Sequence, residues 1–125
     1  MIHGIGTDIV AVSRMAGLWQ RHGEHAMDKI LSPDERADCL ASSEPARFLA
    51  KRFAAKEALG KALGTGMRSP VVMPAITVAH DELGKPFFRL VPELAKMLAE
   101  LMMIPHLSIS DEREHAVAFV VLEKP

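Results

Sequence analysis

Residues Phe53–Gly66 read FAAKEALGKALGTG. The segment is the end of a long predicted helix, Ala46–Leu63, which Pro45 opens and Gly64-Thr65-Gly66 closes. Glu57 and Lys61 stand one helical turn apart. At 100° per residue, Ala46, Ala50, Phe53 and Glu57 fall within about 40° of a common direction, so Glu57 is expected on a buried face. An ionised carboxylate is costly there unless it is paired or binds a metal. Pairing with Lys61 alone would contribute only a few tenths of a kcal/mol on an exposed helix, and leaves the glycine turn unexplained.

A second island, Gly4–Val10, reads GIGTDIV. Ile5, Thr7 and Ile9 alternate with Gly4, Gly6, Asp8 and Val10, a period-2 strand with one apolar face. The other face is bare backbone around one carboxylate. Glycine in a strand marks close approach by a ligand or by another backbone. GIGTD lies inside a strand, so it is not a dinucleotide fingerprint. In GKALGTG the lysine precedes the glycines, so it is not a P-loop.

Between and beyond these islands, Val12–Met27 reads as a helix with Arg14 and Arg21 on one face. Ser32-Pro33 starts a short helix to about Ala41. Ala75–His80 and Phe87–Leu90 flank the turn-rich DELGKP (Asp81–Pro86), a hairpin pattern. Glu93–Met103 is a further helix, which Pro105 stops. His106–Ser110 and Ala116–Leu122 are strands, the second apolar on both faces and so expected to be central or covered by another subunit. The expected fold class is α+β, an antiparallel sheet packed with one long helix and shorter ones, in one domain spanning residues 1–125.

The chain has 125 residues, 49% of them hydrophobic and 25% charged, which fits a globular domain rather than a disordered chain. A formal net charge of -1 argues for neither nucleic acid nor an acidic membrane surface as partner. One cysteine, Cys39, excludes an internal disulfide and points to a reducing cytoplasm. No apolar run approaches the ~20 residues of a membrane span, and no leader pattern opens the chain.

Two carboxylates suit magnesium, which takes one or two of them together with substrate phosphates. Asp8 and Glu57 supply that number. Lys61 adds a point charge for the same phosphates, and Gly64-Thr65-Gly66 offers backbone N–H groups to an anion. His106 shares the polar side of its strand with Ser108 and could bond a phosphate. His3, His22, His25, His80 and His115 form no metal-ligand spacing and read as surface or core residues.

Taken together, GIGTDIV, RFAAKEALGKALGTG, DELGKP and HLSISDEREHAVAFVV resemble, in order and spacing from about residue 2 to residue 123, the bacterial holo-[acyl-carrier-protein] synthases, the small single-domain phosphopantetheinyl transferases. The resemblance implies transfer of 4'-phosphopantetheine from coenzyme A to a serine of apo acyl carrier protein. It implies release of adenosine 3',5'-bisphosphate, use of magnesium, a place in fatty acid biosynthesis, and a homotrimer with sites at subunit interfaces. It assigns Asp8 and Glu57 to the metal and Lys61 to the diphosphate. Coenzyme A contacts are expected from Arg52, Gly64, Thr65, Gly66, Lys85, Pro86 and His106, and carrier contacts from Arg14 and Arg21.

Two segments depart from the pattern. The first helix, with Leu18, His22, Glu24 and His25, is less basic than in many relatives. Ser43-Glu44 lacks the basic residues some relatives place there for the nucleotide phosphate, and Arg47 is the candidate replacement. The acceptor of the serine proton stays open among a solvent molecule on the metal, Glu57 and Glu35. A coenzyme-binding module without chemistry, or a domain docking an acidic partner, are the competing classes. Neither needs both carboxylates.

Overall fold

The computed structural model describes residues 1–125. Strand β1 (Ile2–Ala11) leads into α1 (Val12–His22) and, after a 3-10 turn at Gly23–Ala26, into α2 (Met27–Ile30). Then come α3 (Pro33–Ala41), α4 (Pro45–Leu63), the hairpin β2 (Ile76–His80) and β3 (Pro86–Leu90), α5 (Pro92–Glu100), β4 (Ile104–Asp111) and β5 (His115–Glu123). The strands form two antiparallel sheets rather than one: a three-stranded sheet in the order β1-β5-β4, and the separate β2-β3 ribbon. Strand β5, apolar on both faces, is central, the first of the two positions its pattern allowed.

Helix α4 lies across the three-stranded sheet, and the contact shows what the glycines of β1 are for. A Cβ on Gly4 would stand 2.3 Å from Ala62 O, and one on Gly6 would stand 2.0 Å from Ala58 O. The bare face of β1 therefore admits the helix backbone, the second of the two approaches that strand glycines allow. Ala54, Ala55, Ala58 and Leu59 of α4 pack at 0% exposure, as do Ala116, Ala118, Val120 and Leu122 on the inner face of β5. Small residues on both sides let the layers approach this closely.

The apolar face of β1 points the other way. Ile5 is 60% exposed, Ile9 64% and Phe119 of β5 44%. Register pairs Ile5 with Val121, Thr7 with Phe119 and Ile9 with Val117, and pairs His106, Ser108 and Ser110 of β4 with the same three β5 residues. The outer sheet face is thus an apolar stripe bordered by polar side chains.

Several boundaries differ from the sequence expectation for local reasons. The first helix stops at His22 because Gly23 caps it, its N–H donating to Trp19 O. Helix α5 stops at Glu100, closed by Met103 N–H donating to Leu98 O around Met102 at a φ of 55°. Pro105 does not stop that helix. It lies inside β4, where its missing N–H is tolerated because β4 is an edge strand.

Candidate active site

The register that pairs Gly4 with Ala62 and Gly6 with Ala58 runs β1 antiparallel to α4. Two strand residues advance about as far as one helical turn, ~6.6 Å against 5.4 Å. Continuing that register sets Asp8, on the same inner face, level with the turn that carries Ala54 and Glu57. Asp8 Oδ1 pairs with Lys61 Nζ at 3.1 Å, and the same ammonium donates to Thr7 O at 2.9 Å. Only 16% of the Asp8 side chain is exposed, against 52% for Lys61, so the pair sits at a rim where solvent or a substrate reaches it. Glu57 is half-buried, one turn before Lys61, without a hydrogen-bond or ion-pair partner. It lies on the boundary of the packed face rather than within it, short of the full burial its azimuth suggested.

The donor set fits a hard cation completed by substrate. Asp8 keeps one oxygen outside its bond to Lys61, and Glu57 keeps both. Two carboxylates plus substrate phosphate oxygens satisfy magnesium. No third acidic, histidine or cysteine ligand joins them in a metal-sized cluster.

The Gly64-Thr65-Gly66 turn offers less than its composition suggested. Gly64, left-handed at a φ of 77°, donates its N–H to Lys61 O, and Gly66 donates to Gly60 O. Both N–H groups are spent closing the helix, which leaves the Thr65 N–H to meet an anion.

Other expected residues lie apart from this pair. Arg52 sits on α4 nine residues before Lys61. It lines a cavity of about 300 Å³ with Arg47, Phe48, Lys51 and His80. Its guanidinium stacks on the Phe48 ring at 4.2 Å. Arg52 Nε lies 3.3 Å from Glu35 Oε2, yet it is the one buried side-chain nitrogen or oxygen without a hydrogen bond, because its N–H is not aimed at that oxygen. Burial pulls the Arg52 pKa down, and Glu35 partly restores it. Arg47 is committed elsewhere. It donates to Asp111, to Glu112 O at 2.6 Å and to Arg113 O at 2.9 Å, which clamps the β4–β5 turn against α4. That role replaces the one expected for Arg47 as a free phosphate ligand.

Lys85 and Pro86 close the β2–β3 hairpin, where Asp81 Oδ1 accepts the Lys85 N–H at 2.9 Å. His106 pairs with Glu123 at 3.0 Å on the outer sheet face, opposite to Asp8, so one chain alone does not bring His106 to Lys61. Arg14 and Arg21 are exposed on α1, the former with its guanidinium 5.0 Å from the Phe53 ring. Beside them, Leu18, His22, His25 and Phe53 line a groove of about 490 Å³.

A buried charge cluster escaped the sequence reading. Lys56 is 0% exposed, and its ammonium donates to Glu35 Oε1 at 2.6 Å, Ile30 O at 2.6 Å and Met73 O at 3.1 Å. Glu35, 2% exposed, also accepts the N–H groups of Ser32 and Val78. Burial pulls the Lys56 pKa from 10.5 to about 8, against the pull of Glu35. All three N–H groups of Lys56 are used and Glu35 accepts three hydrogen bonds, and the pair ties α2, α3 and β2 to α4. Glu35 therefore cannot reach a substrate hydroxyl and drops out as general base. The signal was present in the sequence: Leu49, Arg52, Lys56 and Leu59 recur at helical spacing on one side of α4.

Residues 4–120 match the family model of the 4'-phosphopantetheinyl transferase superfamily. The holo-[acyl-carrier-protein] synthase of Dechloromonas aromatica (strain RCB) is 58% identical over 123 residues, covering 98% of each chain. The chain belongs to the holo-[acyl-carrier-protein] synthase family of 4'-phosphopantetheinyl transferases. The crystal structure of the holo-[acyl-carrier-protein] synthase from Neisseria meningitidis superposes with a TM-score of 0.94 at 46% identity, covering 99% of this chain and 100% of that one. That of the Bacillus anthracis synthase in complex with CoA (3',5'-ADP) superposes with a TM-score of 0.83 at 38% identity, covering 100% and 99%. The α+β fold of this chain is the fold of that family.

Proposed function

We propose that this chain transfers 4'-phosphopantetheine from coenzyme A to a serine of apo acyl carrier protein in fatty acid biosynthesis, with magnesium, and that residues 1–125 act as one transferase domain. The observation that carries the reading is the Asp8–Lys61 pair held against α4 one turn from the unpaired Glu57. It supplies two hard oxygen donors and one cation at a solvent-open rim, in a chain whose relatives bear that enzyme's name throughout their length.

The serine oxygen attacks the phosphorus that carries pantetheine and gives up its hydroxyl proton to Glu57 or to solvent. The bond from that phosphorus to the bridging oxygen of the diphosphate breaks, and adenosine 3',5'-bisphosphate leaves with the bond's electron pair. Such transfer needs positioning and neutralised charge more than covalent help from the protein. Lys61, exposed at the rim beside Asp8, would place an ammonium at the leaving oxygens. The Thr65 N–H adds one neutral donor. Asp8 and Glu57 would hold magnesium, which supplies Lewis acidity to the diphosphate when bound. Arg52, which lines the cavity of about 300 Å³ with Lys51, suits a nucleotide phosphate, and Lys85 and Pro86, at the hairpin end where Pro86 pairs with His80, are further coenzyme A contacts.

The exposed apolar stripe of Ile5, Ile9, Val117, Phe119 and Val121 is an interface between copies of this chain. Because His106 lies on that same face, a neighbouring copy is what brings a His106 to the coenzyme, which favours the homotrimer with shared sites. Arg14 and Arg21, flanking the Leu18–Phe53 groove, form a basic, partly apolar surface for an acidic carrier helix. No helix of the chain is long and apolar enough to cross a membrane, and the lone buried cysteine suits the reducing cytoplasm proposed as its place of action.

The test is the mass of apo carrier after incubation with the protein, coenzyme A and magnesium. A gain equal to the phosphopantetheine arm is expected. An unchanged carrier mass, with coenzyme A bound, would select the binding-module reading instead.

A further inference from the structure

The buried lysine of α4 takes no part in the proposed reaction, yet its contacts join the helix that presents Glu57 to one wall of the groove beside Arg14 and Arg21. Lys56 directly precedes Glu57, and it follows Phe53 by three residues, on the same side of α4. Its ammonium donates to Ile30 O, the last carbonyl of α2, at 2.6 Å and to Met73 O at 3.1 Å, while Glu35 Oε1 holds it at 2.6 Å. Helix-end carbonyls such as Ile30 O have no intrahelical donor, and Lys56 supplies one. Segment α2 is a single turn, too short to hold its own shape. It nonetheless contributes Asp28, Lys29 and Ile30 to the groove of about 490 Å³, beside Leu18 of α1 and Phe53 of α4.

Stability alone does not account for a charge at this place. Burial holds the Lys56 pKa down at about 8, so the ammonium is disfavoured where it stands. A buried ion pair is often no more stabilising than apolar side chains of the same volume. Its hydrogen bonds, however, fix distance and direction, which apolar packing does not. We propose that Lys56 is a positioning residue for the carrier protein: through Ile30 O it sets the α2 wall of the groove at a fixed distance from the turn of α4 that presents Glu57. On the reading of that groove as the carrier's docking surface, on which this inference rests, a carrier seated against α1 and α2 delivers its serine in one register. A wall free to shift seats it in several, and fewer encounters are productive.

Lys56→Met keeps most of the volume and removes the donors. Glu35 stays balanced in that variant by Arg52, whose Nε lies 3.3 Å from Glu35 Oε2. In hydrogen exchange read by mass spectrometry, residues 27–31 should exchange faster than in wild type, while β1 and β5 keep their rates. The carrier KM should rise about threefold to thirtyfold. The coenzyme A KM should stay within about twofold. Because the contact is buried, the rise should be equal at low and high salt, unlike the loss of a surface charge. Lys56→Gln, which keeps a donor on a shorter stem, should show the same split to a smaller degree, and it carries the test if Lys56→Met does not fold. Equal rises in both KM values, an unchanged carrier KM, unchanged exchange of residues 27–31, or loss of the fold in both variants would overturn the assignment. Absence of transfer by wild-type protein supplied with apo carrier, coenzyme A and magnesium would instead sink the functional reading itself.

Discussion

Replacing Gly6 with alanine drives a methyl group into the helix that carries Glu57 and Lys61. The new Cβ would stand 2.0 Å from Ala58 O, 2.7 Å from Ala62 N and 3.0 Å from Ala58 C. All three are backbone atoms, so no rotamer change relieves the contact. Restoring a tolerable separation requires α4 to retreat from β1 by about 1 Å. A radial gap of ~0.5–1 Å forfeits about a quarter to a half of each dispersion contact across the alanine-lined interface. Overpacked cores lose about 1–3 kcal/mol, and rigid backbone on both sides places this site at the upper end, about 3 kcal/mol. Unfolding entropy near 60 °C is about 2.1 cal/mol/K per residue, or about 0.26 kcal/mol/K for a chain of this length. The expected fall in Tm is therefore about 11 °C.

Gly17→Ala is the control. A Cβ there meets only the mobile Arg21 guanidinium, at 3.2 Å, and gains about 0.8–1.0 kcal/mol of helix propensity, so Tm should rise. Differential scanning calorimetry with matched urea titrations measures both variants. A Gly6→Ala protein melting within about 3 °C of wild type would refute the claim that β1 and α4 are locked backbone to backbone.

Three further outcomes follow from other parts of the molecule. The folded pKa of Lys56, about 8, lies below its ordinary 10.5, so between these values the unfolded chain binds the proton more tightly. The cost of burying the charge is present in full below about 8 and is relieved as pH rises toward 10.5, so stability relative to Lys56→Met should increase from pH 7.5 to 9.5 in denaturant titrations. A decrease would contradict the burial argument. Charge reversal at Arg14 and Arg21 should raise the carrier KM severalfold and flatten its salt dependence while leaving the coenzyme A KM alone, as steady-state kinetics at two ionic strengths would show. Phe119→Arg, in the middle of the outer sheet face, should reduce the assembly to monomers by sedimentation. Transfer activity should fall with it, since the proposed assembly draws His106 from a neighbouring copy.

Much of this structure was legible from periodicity. The long helix, its glycine stop, the DELGKP hairpin and the central position of β5 follow from patterns that local physics enforces. What periodicity left open was the meaning of the glycines in β1. Strand alternation reports two faces but not which one meets the helix, and glycine is invisible to a hydrophobicity pattern. An apolar face of Ile5 and Ile9 reads as core, yet within the chain it is left exposed. That Asp8 and Lys61 come to one place was anticipated through chemistry rather than pattern, but their direct ion pair was not. Arg47, by contrast, looked like a free phosphate ligand because nothing local announces that a turn 64 residues later will occupy it. Lys56 was passed over for the reverse reason: a lysine on an apolar face resembles a solvated one until Glu35, on another helix, is brought to it.

The central claim is that Asp8 and Glu57 jointly hold a divalent cation beside Lys61. The direct test is turnover of Asp8→Ala and Glu57→Ala proteins across a magnesium titration, with circular dichroism confirming the fold. The account predicts that transfer is lost in both at limiting magnesium while the folded signal persists. Near-normal turnover by either variant under those conditions would contradict it.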